Sequence, residues 1–254
     1  MTVKGVIKEL CPPVIMKAAK YALKHPSTTT PNMSGGWDAY YEIAEKAAEM
    51  DVEKYFTPIL SKYPISFLSC LDFPSGRGRI AGIIYEKYAE QINRFTCCDS
   101  NNDAIGYCRH RFANNGKFFF ATNSVDEYEV EPLEFENKSF TFIYSWDAMV
   151  HFSYKWIDFY IGEFYRMLHD GGYVFIHHSN LGSPNVSIGR EKGESWGDNP
   201  HGRTPISARD VARIAQKQGF TVTEQKCIDW GQQNSRNPSV AFYKNYDCIT
   251  LLHK

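Results

Sequence analysis

Short apolar segments alternate with helical ones from residue 65 to the C-terminus, and this alternation narrows the possible folds most. We predict strands at 65–73, 94–98, 117–122, 140–145 and 173–176, and the first is an apolar run short enough to be buried on both faces of a sheet. Helical patterns separate them at 80–89, 104–112 and 156–168. Another, at 208–217, precedes a final strand pair at 220–228 and 246–253. The pattern predicts an α/β fold with a doubly wound, mostly parallel sheet.

The first quarter of the chain has a different pattern. Helical segments at 14–23 and 38–50 flank a loop rich in Ser, Thr, Pro and Gly. We therefore expect residues 1–64 to form an N-terminal helical cap and residues 65–254 to form the α/β domain. A long segment rich in Gly, Ser, Asn and Pro, at 181–205, is typical of a lid inserted into that domain.

The turn after the first predicted strand has the features of a cofactor-binding loop. Glycines there let the backbone approach a ligand, and the next helix presents free N–H groups. The candidate residues of this loop are Asp72, Pro74, Ser75, Gly76 and Gly78. The alternative is a tight strand-to-helix turn that binds nothing.

Polar residues end the next two predicted strands as well. Asp99, followed by Ser100, ends the second strand about 20 residues past the glycines, where an acid bonds ribose hydroxyls. That spacing is shared with NAD-binding proteins, although the G-x-G-x-x-G spacing of dehydrogenases is absent. Asn123 ends the third strand, and its amide could bond an adenine edge or could simply belong to a turn.

The segment LEFENKSFTFIYS at 133–145 leads into the fourth strand, and the segment 164–172 ends in paired glycines before the fifth. Together with the glycine loop, these segments resemble the class I S-adenosylmethionine-dependent methyltransferases. The resemblance implies a seven-stranded, Rossmann-like sheet with an antiparallel last strand, and S-adenosylmethionine as cofactor. We expect Ser145 and Trp146 to join the cofactor-binding set. Pro74 stands where the family usually has its first glycine, which leaves the Gly76 and Gly78 amides as the expected contacts.

The resemblance also places the methyl acceptor near the ends of strands four and five. A proton-bearing acceptor benefits from a general base, and the candidates are Asp147, His151, His177 and His178. Because strand side chains alternate, His177 and His178 should face opposite ways, and we favour His178 as the base. Asp147 and His151 would share a face if their segment is helical. The alternatives are strand-end, capping and packing roles, and without an acid cluster we predict no metal.

The acceptor is predicted from the lid and from charge. Trp196, His201 and Arg203 in the lid are candidate substrate-binding residues, unless the lid is only a solvated loop. The net charge of −1 and the absence of a basic stripe argue against nucleic acid. We predict O-methylation of a small molecule or glycan. A non-catalytic cofactor-binding module and an RNA or protein methyltransferase are the alternatives.

Cysteine content and hydropathy bear on the compartment. The seven cysteines are odd in number and form no CxxC pair, which favours reduced thiols in the cytoplasm. We expect neither a signal peptide nor a membrane span, because no apolar run is long enough for either.

Overall fold

The computed structural model describes residues 44–123, 132–188, 203–230 and 243–254. The helix predicted at 14–23, residues 189–202 of the predicted lid, and both Trp196 and His201 lie outside these ranges. The chain divides into two compact units. We call Lys17–Tyr144 with Met167–Tyr173 the N-terminal unit, and Met1–Met16, Ser145–Arg166 and Val174–Lys254 the C-terminal unit.

The N-terminal unit carries the first half of the sheet. Its described part begins with helix α1 at 44–60, which includes a π-helical turn at Val52–Phe56 and a last turn at Thr57–Leu60. The elements that follow are β1 (Ser69–Asp72), α2 (Arg79–Tyr88), β2 (Arg94–Asp99), α3 (Asn102–Arg111), β3 (Phe118–Thr122) and β4 (Phe140–Ser145). The strands pair in the order β3-β2-β1-β4, and the three pairs are all parallel.

An aromatic core fills this unit. The rings of Phe95 and Phe118 stack with centroids 5.1 Å apart, and Tyr144 lies edge-on to Phe95 at 6.4 Å. Helix α1 reaches the same cluster, since Phe56 meets Tyr144 edge-on at 5.7 Å. An ion pair between Glu53 and Lys87, at 2.7 Å, also ties α1 to α2. Helix α1 is the described part of the predicted cap.

The C-terminal unit carries the second half of the sheet. A single 3-10 turn at Met149–His151 precedes its helices and strands. These are α4 (Tyr154–Met167), β5 (Leu168–Ser179), β6 (Ser187–Ile188), α5 (Ala208–Lys217), β7 (Thr221–Trp230) and β8 (Tyr243–His253). Strand β5 begins in the N-terminal unit and ends in this one, and β7 and β6 both pair antiparallel with β8.

The strand order β3-β2-β1-β4-β5-β8-β6, with β7 on β8, confirms the predicted fold class. Strand β4 and helix α5 have the predicted bounds. Strand β6 is an addition, because a two-residue strand leaves no periodic pattern in a sequence. Within the described residues, no helix is long and apolar enough to cross a membrane.

The paired glycines do not precede the fifth strand, as the sequence had indicated. The helix predicted at 156–168 ends at Met167, and Gly171 and Gly172 both lie inside β5, which starts at Leu168. A Cβ on Gly172 would lie 2.7 Å from the Leu168 side chain and 2.9 Å from the Thr141 carbonyl oxygen. Gly172 is therefore required by close packing within the sheet.

Candidate functional site

The glycine loop joins β1 to α2 through a turn that only glycine accommodates at one position. Gly78, the residue before α2, has a left-handed backbone with φ of 71°. A Cβ there would lie 2.8 Å from Phe112 Cε2 and 3.1 Å from Cys108 Sγ. The chain enters this turn through a cis peptide bond between Phe73 and Pro74. The loop is thus pressed against helix α3.

The loop amides have partners within the protein. The Gly76 N–H donates to Asp99 Oδ2 at 2.8 Å, and the Gly78 N–H donates to the Ser75 carbonyl at 3.0 Å. The Ser75 N–H donates to the Cys98 carbonyl at 2.9 Å. These bonds fix the loop to the end of β2. The contact of the Gly76 and Gly78 amides with a bound cofactor stays a prediction.

Asp99 is the residue to which the loop is fastened. Its other oxygen, Oδ1, accepts a hydrogen bond from the Asn101 N–H at 2.9 Å. Burial raises the pKa of Asp99, whereas the backbone amides of Asn101, Gly76 and Ser100 lower it. A carboxylate has about four lone-pair sites, so these three amides leave capacity for a ribose hydroxyl. Asp99 can therefore brace the loop and also accept a hydrogen bond from a ribose.

Asp72 ends β1 in a buried position beside the Tyr144 hydroxyl. Burial raises the pKa of Asp72 to about 8, although the neighbouring Tyr144 hydroxyl lowers it. The charge of Asp99 raises the pKa of Asp72 further, and Arg79 acts in the opposite direction. The carboxyl is therefore mainly protonated at neutral pH. A cation placed beside it would favour the charged form.

Asn123 follows β3 in a buried position, and its N–H donates to the Asp99 carbonyl at 3.3 Å. Three adjacent parallel strands thus end in Asp72, Asp99 and Asn123, with the glycine turn after the first. The carboxylates suit an ammonium and a ribose diol, and the amide suits an adenine edge. This donor set fits S-adenosylmethionine.

The C-terminal unit holds a second cluster of functional side chains, which begins where β4 ends. Ser145 is fully buried, and its hydroxyl has no hydrogen-bond partner within the described residues. Trp146 is buried and stacks on the His177 ring at 4.3 Å. Asp147 has a left-handed backbone with φ of 56°. Such strain at a non-glycine residue often marks a functional site.

A buried polar network holds Asp147 in this conformation. The Asp147 N–H donates to His177 Nδ1 at 3.1 Å, and His177 Nε2 lies 3.2 Å from Asp247 Oδ2. Because a backbone N–H can only donate, Nδ1 accepts and the neutral ring carries its proton on Nε2. His177 Nε2–H therefore donates to Asp247.

Arg203 completes the network. Its Nε and Nη2 donate to the two oxygens of Asp247 at 3.1 and 2.7 Å, and its Nη2 lies 3.9 Å from Asp147 Oδ1. Burial raises the pKa of Asp247, but its pairing with His177 and Arg203 brings it down to about 2. Arg203 is itself buried in this network, and its predicted contact with substrate stays a prediction.

His178 lies in a different environment from its neighbour. Its Nδ1 is 2.8 Å from the Ser179 carbonyl and its Nε2 is 2.7 Å from the Thr250 hydroxyl. Burial lowers the pKa of His178 to about 4, so the ring is neutral and a weak base. The predicted alternation is confirmed, because His177 contacts Asp247 while His178 contacts Thr250.

His151 closes the 3-10 turn, and Asp147 precedes that turn with a left-handed backbone. The two residues therefore do not share the face of a regular helix, as the i, i+4 spacing had suggested. The prediction that the two side chains orient each other depended on a helical segment, and the segment is not a regular helix. Across the described ranges, no group of three His, Cys, Asp or Glu side chains is placed to hold a metal ion.

Sequence reasoning missed Asp247 as a member of this cluster, and it set His177 aside in favour of His178. Asp247 lies 70 residues from its histidine partner, and only spatial folding brings them together. One signal was present in the sequence: Asp247 is the only charged residue between Tyr246 and Leu252 in a strand-like run. A buried charge in such a run requires a partner.

The strand order, the antiparallel β7–β8 pair and the polar strand ends define an S-adenosylmethionine-dependent methyltransferase. A family model described as a methyltransferase domain matches residues 42–225, which is more than half of the chain. The chain belongs to this methyltransferase domain family. No curated protein matches the chain by sequence.

Solved structures share the fold at low sequence identity. A Leishmania major S-adenosylmethionine-dependent methyltransferase matches at TM-score 0.59 and 12% identity, over 88% of this chain and 78% of that one. A candidate methyltransferase from Bacillus halodurans matches at TM-score 0.55 and 14% identity, over 78% of this chain and 97% of that one. A third match is a Haemonchus contortus phosphoethanolamine N-methyltransferase in complex with phosphomonomethylethanolamine and S-adenosylhomocysteine. It has a TM-score of 0.53 and 16% identity, over 78% of this chain and 52% of that one.

Proposed function

We propose that this methyltransferase methylates a hydroxyl group of a small molecule or glycan, and that Asp147 is the base that takes the hydroxyl proton. The observation that carries the proposal is the strained, partly exposed Asp147 directly after β4. Its backbone has a φ of 56°, and its amide is fixed to the His177 ring. Ligands of open α/β sheets bind outside the carboxyl ends of the strands, where Asp147 lies.

The bound cofactor would supply a methyl group on a cationic sulfonium, and the protein must align the acceptor with it. Asp147 can orient an acceptor hydroxyl by accepting its hydrogen bond and can take the proton as the new bond forms. The side chain is 13% exposed, so it is accessible yet held in one place. The hydrogen bond from the Asp147 backbone N–H to the His177 ring holds this residue in place before the acceptor binds, which limits the loss of conformational entropy on binding.

His178 is the weaker candidate in this structure. Both of its ring nitrogens have hydrogen-bond partners within the protein, and the ring is fully buried. A general base must bring a lone pair within hydrogen-bond reach of the acceptor. The Asp147 side chain is 13% exposed, so we rank Asp147 ahead of His178, with His151 third.

The acceptor class rests on charge. The chain has a net charge of −1, whereas a nucleic-acid substrate would favour a basic surface. Reduced cysteines favour a cytoplasmic acceptor pool. Trp196 and His201 remain the proposed lid contacts with that acceptor.

Release of S-adenosylhomocysteine tests the proposal. Purified protein is incubated with S-adenosylmethionine and with separate panels of sugars, phenols, amines, peptides and RNA. Turnover with the hydroxyl panels alone is expected, and turnover only with amines, peptides or RNA would contradict it. Calorimetric binding of S-adenosylhomocysteine without turnover on any panel would favour the non-catalytic alternative.

Two variants separate the candidate bases. Asp147→Asn keeps the size of the side chain but cannot take a proton, so kcat should fall by about 10²–10⁴. The dissociation constant for S-adenosylhomocysteine should change little. His178→Gln should retain most of the activity. A large loss in His178→Gln, with Asp147→Asn fully active, would return the role of base to His178.

A further inference from the structure

Two cysteines stand directly opposite each other where β7 and β8 pair. The antiparallel register places Cys227 of β7 against Cys248 of β8. Directly opposite residues in an antiparallel pair have Cα atoms about 4.5–5.5 Å apart and side chains on the same face. A disulfide typically requires a Cα separation of about 4.4–6.8 Å. The backbone therefore permits a bond between these two sulfurs without a change of register.

The two thiols differ in access to solvent. Cys227 is exposed, whereas Cys248 is fully buried. An oxidant in solution can therefore reach the first sulfur, and the second sulfur lies behind it. This is the arrangement of an attacking cysteine with a resolving cysteine beside it.

Hydrogen-bond donors surround the Cys227 sulfur and favour its thiolate. The Asn180 amide Nδ2 donates to Cys227 Sγ at 3.6 Å, and Asn180 is itself almost completely buried. The neighbouring Cys248 thiol lowers the pKa of Cys227 to about 7, although burial acts against it. The same contact raises the pKa of Cys248. A substantial fraction of Cys227 is thus the nucleophilic thiolate at neutral pH.

We propose that Cys227 and Cys248 form a redox modification site, which a peroxide oxidises to a cross-strand disulfide. The Cys227 thiolate attacks one peroxide oxygen, the O–O bond breaks, and the departing hydroxide takes a proton to become water. The Cys248 thiol then attacks the resulting sulfenic acid, the S–S bond forms, and a second water leaves. The two thiols lose two electrons in total, and the peroxide gains them. A dithiol reductant reverses the step.

Oxidation would also change the hydrogen bonding of Asn180, the residue that follows β5. In the reduced protein, Asn180 also donates to the Asn245 carbonyl and accepts from the Ala208 N–H at the start of α5. A disulfide removes the thiolate that accepts from Asn180 Nδ2. The site therefore couples the redox state of β7 to the turn that follows His178 and Ser179. The proposal does not depend on the identity of the methyl acceptor.

A second thiol pair in the protein provides an internal comparison. Cys97 of β2 and Cys108 of α3 are neighbours, and their hydrogen bond raises the pKa of Cys97. Both side chains are fully buried. These thiols lack the exposure of Cys227, so they should remain reduced in the native protein under the same treatment.

Peptide mapping after brief treatment with hydrogen peroxide tests the proposal on the full chain. Free thiols are alkylated before and after reduction, and the cross-linked peptides are identified by mass spectrometry. The expected product is an intramolecular Cys227–Cys248 disulfide that dithiothreitol reverses, with Cys97 and Cys108 still reduced. Cys248→Ser should leave a sulfenic acid on Cys227 that dimedone traps, and Cys70→Ala, which keeps the pair, should form the same disulfide as the wild type.

Three outcomes would overturn the proposal. The first is oxidation of Cys227 to sulfinic acid without a link to Cys248. The second is a disulfide between two chains through Cys227. The third is alkylation of Cys227 in the untreated native protein at the rate of the buried cysteines. Each can be read on the wild-type protein, so the test does not depend on a variant that folds.

Discussion

The buried pair of Arg203 and Asp247 should contribute strongly to stability. Arg203 donates to both carboxylate oxygens, and Asp247 is fully buried. Replacing Arg203 with Met keeps much of the apolar stem and removes the cation. The Asp247 carboxylate would then keep only the His177 N–H as a partner. We expect Arg203→Met to lower the free energy of unfolding substantially, because it leaves a buried charge under-compensated.

Two approaches give the magnitude of the loss in the free energy of unfolding. Removing one partner of a buried ion pair typically costs about 3–5 kcal/mol. The pKa of Asp247 falls from 3.8 to about 2 in the folded protein. At about 1.4 kcal/mol per pH unit, this difference corresponds to a net stabilisation of about 2.5 kcal/mol. That value combines the contribution of Arg203 with the cost of burial and the His177 hydrogen bond, which both persist in the variant, so the range for a broken buried pair is the one that applies to Arg203→Met.

The pH dependence provides an independent check. Because the folded pKa of Asp247 is depressed, its stabilisation is present above about pH 4 and is lost as the pH falls towards 2. In Arg203→Met the pKa of Asp247 should rise, and protonation removes the uncompensated charge. The deficit of the variant relative to the wild type should therefore shrink between pH 7 and pH 4.

Urea unfolding at several pH values measures both the loss of stability in Arg203→Met and its dependence on pH. Arg213→Met is the matched control, since Arg213 pairs with Asp210 at 2.9 Å on the surface with a side chain 69% exposed. It should cost less than about 1 kcal/mol. The double variant Arg203→Met with Asp247→Leu should be more stable than Arg203→Met alone. If Arg203→Met costs no more than Arg213→Met, the reasoning about the buried network is wrong.

Three further predictions concern the cofactor loop. Gly78→Ala should destabilise the protein and weaken cofactor binding, because its Cβ would clash with Phe112 and its φ is 71°, whereas Gly116→Ala, with open space around it, should change little in thermal unfolding. Burial raises the pKa of Asp72 to about 8, so this group lowers stability progressively as the pH rises from about 4 to 8. Asp72→Asn should therefore gain in melting temperature relative to the wild type between pH 6 and pH 9, and an unchanged difference would count against the assignment. Asp99→Ala should weaken S-adenosylhomocysteine binding by about 1.5–3 kcal/mol in calorimetry, and an unchanged dissociation constant would exclude the ribose role.

The fold followed from local signals in the sequence. Strand β4 is a continuous apolar run, and helix α5 starts at a capping box in which Ser207 and Asp210 bond each other's backbone N–H. Such signals act over a few residues, so both bounds could be predicted to the residue. The glycine pair in β5 shows the opposite case. The reason for Gly172 is its contact with Thr141, which lies on another strand.

The cluster of Asp147, His177, Arg203 and Asp247 could be predicted only in part. The alternation of His177 and His178 follows from strand geometry, but their partners lie on β8, about 70 residues further along the chain. No local pattern decides which of the two histidines meets a carboxylate. The choice of His178 rested on its position nearer the strand end, whereas the chemistry of each ring depends on the residue across the strand.

The charges of the buried network explain why Asp147 suits the transfer of a proton better than its neighbours. With both carboxylates ionised, Asp147, Asp247 and Arg203 together carry a formal charge of −1, since the His177 ring is neutral. A proton accepted at Asp147 leaves Arg203 paired with Asp247 through two hydrogen bonds, so the cluster becomes neutral. A proton accepted at His178 would instead create a positive charge in a fully buried site whose nearest partners are the neutral Ser179 carbonyl and Thr250 hydroxyl. Since an unpaired buried charge is costly, the network favours proton transfer to Asp147.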